Sequence, residues 1–429
     1  MEEIKKYLKG ETVIWFVFIA LSCMSVLSVY STSGALAYHG GDSVTFIILK
    51  HIKYLAYGAF GVYVLHVLPY QWLRVLNYIL LGAISIALLL VLVAGERRLG
   101  GFQPSEFAKV SVIVFVADML ARKQQKGTPD EAFGVIAIVS LLFCALIAPL
   151  KLSSALLIAG VTLFLLIIGR VSFKKIAAYI GILLLVGIPY LLVGFNVSEE
   201  TLRKNPVTKV ISRAPTHAKR VGQMFADNDK YYHYTDKKTN QPDSIKIKHR
   251  MVKHSQDASI FGIKFTLEDL DRRQAVNALI AISKAPTVIW LPGTGEQKYY
   301  LANSYDDYIF SIIVEETGVL VGILIIALYL ILLFRAGVIT RQSNQAFPTL
   351  VVVGVTLLIV VQALVHVAVS TDSFITGETL PLISRGGSAI IATCGCFGLI
   401  LSISRHLNNN EEKVQKNADD ADNADSRGE

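Results

Sequence analysis

Ten stretches of this chain are each long and apolar enough to cross a bilayer as a helix, which takes roughly 17 to 25 mainly apolar residues. They fall at about 12–31, 46–68, 74–94, 104–121, 131–149, 152–169, 173–194, 307–334, 348–370 and 386–404. Of the 429 residues, 53% are hydrophobic and 17% charged, and the mean hydropathy is +0.51. A soluble protein could not enclose that much apolar surface. The expected fold is therefore all-α: a polytopic membrane protein with about ten transmembrane helices and a large extracytoplasmic loop between helices 7 and 8. The fifth and sixth runs are parted only by Pro149-Leu150-Lys151 and read as two spans in preference to one broken or re-entrant pair.

Basic residues in short loops fix orientation, because they accumulate on the cytoplasmic side. One set of loops holds Lys5, Lys6, Lys9, Arg74, Arg122, Lys123, Lys126, Arg170, Lys174, Lys175, Arg335, Arg341 and Arg405. The opposite short loops hold only Arg97, Arg98, Lys151 and Arg385. Both termini are thus expected inside. The organisation expected is a cytoplasmic amino terminus (1–11), seven spans (12–194), an outer basic loop (195–305), three spans (306–404) and a disordered cytoplasmic tail (405–429). Ala35-Leu36-Ala37 resembles a signal-peptidase site, but the apolar run before it is too long for a signal peptide and further spans follow, so no cleavage is expected.

The outer loop carries the chain's charge. From Asn196 to Tyr305 there are 18 Lys and Arg against 11 Asp and Glu, most of the overall +8. Such a loop can face anionic headgroups, act as a solvated linker or hold an anionic lipid-linked substrate. Its middle, Asp227 to His254, reads as flexible, and Leu267 to Leu301 is apolar enough to pack on the bundle. Cys23, Cys144, Cys394 and Cys396 all fall inside spans, so no disulfide is expected. His217, His233, His249 and His254 lack a compact metal-ligand spacing.

Three polar constellations interrupt the apolar pattern. Tyr305-Asp306-Asp307-Tyr308 leads into an apolar helix that also carries Ser311, Glu315 and Glu316. Carboxylates at a membrane helix are costly and mark a functional site. Gln103-Pro104-Ser105-Glu106 opens the fourth span, with Lys109 three residues after Glu106 on the same face. That pair suits either an intrahelical ion pair or contact with a phosphate. Near the end, Thr376-Gly377-Glu378-Thr379-Leu380-Pro381-Leu382-Ile383-Ser384-Arg385-Gly386-Gly387-Ser388 combines turn residues with a fixed cation.

In their order, these motifs resemble SEDS proteins (shape, elongation, division and sporulation). The resemblance is carried by Gln103-Pro104-Ser105-Glu106 with Ala108-Lys109, the Pro292-Gly293 to Gln297-Lys298 turn, and Asp307-Tyr308-Ile309-Phe310 with Glu315-Glu316-Thr317-Gly318. Gln362-Ala363-Leu364-Val365 and Leu380-Pro381-Leu382-Ile383-Ser384-Arg385-Gly386-Gly387-Ser388 complete it. The chain looks FtsW-type, with RodA the close alternative. Three segments depart from the pattern: Glu96-Arg97-Arg98-Leu99-Gly100-Gly101 is shortened, Pro149-Leu150-Lys151-Leu152-Ser153-Ser154-Ala155 lacks the expected aspartate, and Ala285-Pro286 replaces a glycine pair.

The resemblance implies a peptidoglycan glycosyltransferase that polymerises lipid II on the outer face of the bacterial cytoplasmic membrane. It also implies a class B penicillin-binding protein as crosslinking partner, with other division or elongation membrane proteins nearby and no nucleic acid. Asp307 falls at the family's essential acidic position and is expected to be the general base that takes the acceptor hydroxyl's proton. Glu106, Lys109, Arg97, Arg98, Arg220 and Arg385 are the expected substrate contacts, with Ser311, Glu315 and Glu316 in support. The leaving diphosphate calls for cationic side chains or a divalent cation, Mg2+ or Mn2+; no organic cofactor is expected. Asp306 is expected to point away from Asp307's cavity, because adjacent helical residues diverge by about 100°. A lipid II flippase or a non-catalytic scaffold are the alternatives.

Overall fold

The structure is a computed structural model. It describes residues 10–94, 96, 98–225, 231–235, 242–246, 259–260, 263–264, 270–286, 292–301, 305–371 and 377–425. The apolar runs become α1 (Thr12–Gly40), α2 (Val44–Val67), α3 (Tyr70–Ala94), α4 (Pro104–Gln124), α5 (Phe133–Ile147), α6 (Leu152–Ile168) and α7 (Phe173–Asn196). Beyond α7 come three short helices, α8 (Glu199–Lys204), α9 (Pro206–Lys209) and α10 (Ala214–Phe225), followed by α11 (Leu270–Ser283). The carboxyl-terminal part holds α12 (Ile309–Thr317), α13 (Val319–Gln342), α14 (Ala346–Ser370) and α15 (Gly387–Asp425).

This is a multi-pass membrane protein. Among the described residues, seven helical segments are by length and composition able to cross a membrane, and α6 is a shorter apolar helix. The remaining two of the bundle, α2 and α4, carry Lys50 and Lys53, and Glu106, Lys109 and Asp118. The expected fifth and sixth spans are separate helices, turned at Leu150 and Lys151, whose N–H groups both donate to the Ile147 carbonyl.

The expected eighth span is two helices. Gly318 stands between α12 and α13 with φ 93° and ψ 164°, a conformation that a side chain would forbid, and the chain changes direction there. A second departure is the tail: α15 continues as helix to Asp425, where the polar sequence suggested disorder. Its nucleus is the buried first half, and adding turns to an existing helix costs far less than starting one. In the outer segment, Tyr231–Thr235 pairs antiparallel with Pro242–Lys246, and Ser259–Ile260 with Ile263–Lys264; the rest of the Asp227 to His254 stretch, expected to be flexible, lies outside the described residues.

At the centre, α4 and α14 pack on each other and on α6 and α15. Lipid tails are as apolar as the side chains, so packing and interhelical hydrogen bonds hold such a bundle. Asn77 on α3 donates to the Ser111 carbonyl (3.1 Å) and accepts from Ser111 Oγ (2.9 Å). Tyr179 on α7 donates to Ser140 on α5 (3.2 Å). At the end remote from the long loop, buried Asp118 is engaged by Arg122 (2.8 Å), Arg74 and Tyr78. At the loop end, α10 lies against α7, and α11 packs on α12, as the apolar content of that segment suggested.

Candidate active site

The acidic motif lies in a turn, not in a helix. α12 begins at Ile309, so Tyr305 to Tyr308 precede it. The loop after α14 pins that turn: Arg385 N–H donates to the Tyr305 carbonyl (3.0 Å) and Ser384 Oγ to the Asp306 carbonyl (2.8 Å). Outside helical geometry the 100° divergence does not apply, and Asp306 and Asp307 both line one cavity of about 460 Å³. The expectation that Asp306 points elsewhere is thereby corrected.

The wall of this cavity is cationic. Lys50 from α2, Arg98 from the segment before α4, Lys151 before α6, Arg220 on α10 and Arg385 all line it. Arg385 also sits over the Tyr305 ring, 5.6 Å from its centroid. Of the expected substrate contacts, Arg98, Arg220 and Arg385 thus share the space with Asp307, whereas Arg97 lies outside the described residues. His217, one turn before Arg220, is lowered to about 4 by burial and then by Arg220 and Arg213, so its imidazole is neutral beside Tyr190 (2.8 Å).

Glu106 and Lys109 do not line the cavity. They lie beneath it, with side chains 4% and 2% exposed, paired at 2.8 Å. Lys109 also approaches Glu378 (3.7 Å) and donates to Gln362 (2.9 Å), while Lys151 bridges Glu378 (2.8 Å) and Glu106 (3.5 Å). Ser154 donates to the other Glu378 oxygen (2.7 Å). Two cations and two carboxylates therefore form a closed floor in which each charge has opposite-sign neighbours, the condition for burying ions at all.

Glu315 and Glu316 face away from the cavity, toward the Pro292 to Lys298 turn. Glu316 accepts from Gly293 N (2.8 Å), Gly295 N (3.2 Å), Lys298 Nζ (3.0 Å) and Ser31. Glu315 accepts from Glu296 N (3.1 Å) and Gln297 N (3.2 Å). Ser311 is buried and reaches the Ser370 carbonyl (3.4 Å). All three hold a turn or a helix contact and do not line the cavity.

Burial raises the carboxyls of Asp306 and Asp307 above the ordinary aspartate range; for Asp306 the neighbouring Asp307 charge adds to it, and Lys151 and Arg98 oppose the rise. Glu378 goes the other way. Burial alone would raise it, but Lys109 and Lys151 hold it down to about 2. Lys151 stays protonated because Glu378, Glu106 and Asp307 outweigh the burial that would discharge it.

The donor set does not fit a divalent cation. Among the described residues no three His, Cys, Asp or Glu side chains gather as a metal site. Asp306 and Asp307 share the cavity, but the carboxylates that would complete a ligand set with them, Glu106 and Glu378, are already engaged by Lys109 and Lys151.

Sequence reasoning passed over Lys151, Glu378 and Lys50 as site residues. The signal for Lys151 was present in the Pro149 to Ala155 segment, which lacks the expected aspartate and holds a lysine. Glu378 lies within the Gly377 to Ser388 motif, whose one cation, Arg385, is the stronger sequence signal.

The sequence pattern of the FtsW, RodA and SpoVE group, described as cell cycle proteins, matches residues 11–218 and 271–409. The chain belongs to this family. Similar curated members include the probable peptidoglycan glycosyltransferase FtsW of Bacillus subtilis, 26% identical over 96% of this chain and 95% of that protein. The protein of the same description from Pseudomonas fluorescens is 23% identical over 90% of this chain and 85% of its own length. Two solved folds are also similar. One, from work described as structural coordination of polymerization and crosslinking by a peptidoglycan synthase complex, has a TM-score of 0.61 at 20% identity, covering 94% of this chain and 99% of that one. Thermus thermophilus RodA has a TM-score of 0.54 at 19% identity, covering 93% and 98%. The three chains share one fold.

Proposed function

We propose that this protein is an inverting peptidoglycan glycosyltransferase that polymerises lipid II on the outer face of the bacterial cytoplasmic membrane, with both termini cytoplasmic. The observation that carries the reading is the Asp307 carboxylate in a cavity walled by Lys50, Arg98, Lys151, Arg220 and Arg385. The names of the curated relatives support the reaction class.

In the proposed step the acceptor sugar hydroxyl attacks the donor's anomeric carbon as its proton passes to Asp307. The new carbon–oxygen bond forms while the bond to the lipid diphosphate breaks, and the electron pair leaves with the diphosphate. A positioned carboxylate gives such a step about 10² to 10⁴ in rate. The cationic wall meets the charge that develops on the leaving group, where preformed charge is most effective. A single displacement turns an α-linked diphosphate into a β-linkage.

The closed floor of paired charges favours chemistry at one membrane face over passage of a headgroup to the other, which weighs against a flippase. A class B penicillin-binding protein is the proposed partner. The similarly folded chain from a complex that coordinates polymerization and crosslinking supports that assignment. A role in cell division follows the FtsW-type motifs.

The test is polymerisation of labelled lipid II by the purified protein with its partner, parent against Asp307→Asn. Glycan from the parent and little from the variant is the expected result. Equal chains from both would remove the general base, and lipid movement across vesicles without chain growth would favour the flippase.

A further inference from the structure

Lys151 is the cavity cation that is also built into the buried floor. Its backbone is fixed by the turn after α5, its N–H donating to the Ile147 carbonyl (2.8 Å). Its side chain is 13% exposed, with Nζ between Glu378 (2.8 Å) and Glu106 (3.5 Å). Upward it lines the same cavity as Asp306 and Asp307. A charge held there from below is fixed relative to the floor.

The charge balance shows what that position does. Glu106, Glu378, Asp306 and Asp307 bring four carboxyls into one region, with Lys109 buried beneath and Lys151 facing both layers. Like charges at short range cannot all ionise without a cation among them. The groups around Lys151 from the elements packed about the cavity and floor are Lys50 and His51 on α2, Arg98 before α4, Glu106 and Lys109 on α4, Glu378 and Arg385 from the loop after α14, Asp306 and Asp307 before α12, and His217 and Arg220 on α10. A dication added beside Asp307 would meet the Lys151 ammonium and the arginines as like charges.

We propose that Lys151 is the built-in counter-cation of the Asp306–Asp307 pair, standing where a divalent ion would otherwise sit, so that this chain's glycosyl transfer runs without added metal. Lys151 is in this role a positioning residue, acting through Asp307 and the ionised floor. The proposal rests on the polymerase reading and deepens it by assigning the source of positive charge at that site.

The experiment uses the full chain with its partner in two arms. In the first, labelled lipid II is polymerised in EDTA or in Mg2+. The parent is expected to keep its rate within about twofold. Lys151→Arg keeps metal-independent synthesis, whereas Lys151→Met, checked for folding by thermal unfolding, loses about 10- to 100-fold, the usual cost of removing a group that tunes a reacting one. Its acid limb moves to higher pH, because Asp307 loses a neighbour that favours its charged form. In the second arm, Mn2+ binding is read by electron paramagnetic resonance without substrate. The parent shows no site sensitive to Asp307→Asn, and Lys151→Asp creates one.

Glycan synthesis that EDTA abolishes and Mg2+ restores in the parent would overturn the proposal, as would parent Mn2+ binding that Asp307→Asn removes. If the parent made no glycan in either buffer, the polymerase reading would fall. The Mn2+ arm would then still decide whether Lys151 occupies the cation position.

Discussion

Gly377 abuts the Asp307 carboxylate: a Cβ built on Gly377 would lie 2.6 Å from Asp307 Cγ and 2.7 Å from Oδ1. No real Cβ sits that close, and Asp307 has too short a side chain to step aside without moving its turn. Gly377→Ala is therefore expected to displace the carboxylate. Misplacing a reacting group by about 1 Å can cost roughly 10²-fold, so the rate of lipid II polymerisation should fall by about that factor. The Gly377 φ lies outside the left-handed region, so alanine adds no backbone strain. The thermal unfolding midpoint in detergent should stay near the parent's, and a rate unchanged by the substitution would show that the carboxylate's position is not critical.

The paired aspartates predict an unusual pH profile. A general base works only when deprotonated, and burial raises both carboxyls, Asp306 to about 7 with the Asp307 charge adding to burial. The two titrate as a coupled pair. Activity should therefore begin to fall, as pH drops, above the ordinary aspartate value of about 3.9. Asp306→Asn removes the like-charged neighbour, which favours ionised Asp307, so the acid limb should move to lower pH while the rate at alkaline pH is largely kept. Rate against pH for parent and variant checks the direction, and a limb that moves upward would contradict the coupling.

How far the sequence led depends on the kind of signal. Membrane helices were legible because their signal, unbroken apolar length, is local. The break at Gly318 was not, since a glycine inside an apolar run continues a helix as readily as it ends one until packing decides. Asp307, Arg98, Arg220 and Arg385 were found by motif and charge, and the fold brings them to one cavity. Glu106 and Lys109 looked like substrate contacts because their spacing puts them on one face, but spacing gives no depth, and the partners that bury them, Glu378 and Lys151, come from residues far along the chain. Asp306 was misplaced by assuming helix one turn too early.

The buried floor should behave as a unit in stability measurements. Lys109→Met leaves Glu106 and Glu378 short of a cation, and breaking a buried pair by removing one partner costs about 3 to 5 kcal/mol. Glu106→Gln is expected to cost less, because Lys109 retains Glu378 and Gln362 as partners. Since both act on one network, the double variant should be destabilised by less than the sum, with a coupling of about 0.5 to 3 kcal/mol. Denaturant unfolding of the four proteins closes the cycle. Strict additivity would mean that the ion pair is not energetically linked.

Glu316 and Glu315 separate structure from chemistry. Glu316 holds the Pro292 to Lys298 turn through two backbone N–H groups and the Lys298 ammonium, and Lys298 and Glu316 side chains are each only 2% exposed. Glu316→Ala leaves that ammonium buried with the Gly293 carbonyl (2.7 Å) as its remaining hydrogen-bond acceptor among the described residues, so a loss of about 3 to 5 kcal/mol is expected. Glu315→Ala removes an acceptor from two backbone N–H groups and should cost about 1 to 3 kcal/mol. Neither side chain lines the cavity, so the polymerisation rate per folded molecule, measured below the unfolding midpoint of each variant, should change far less than in Asp307→Asn. A Glu316 variant that kept its stability but lost its rate would place this carboxylate in the reaction.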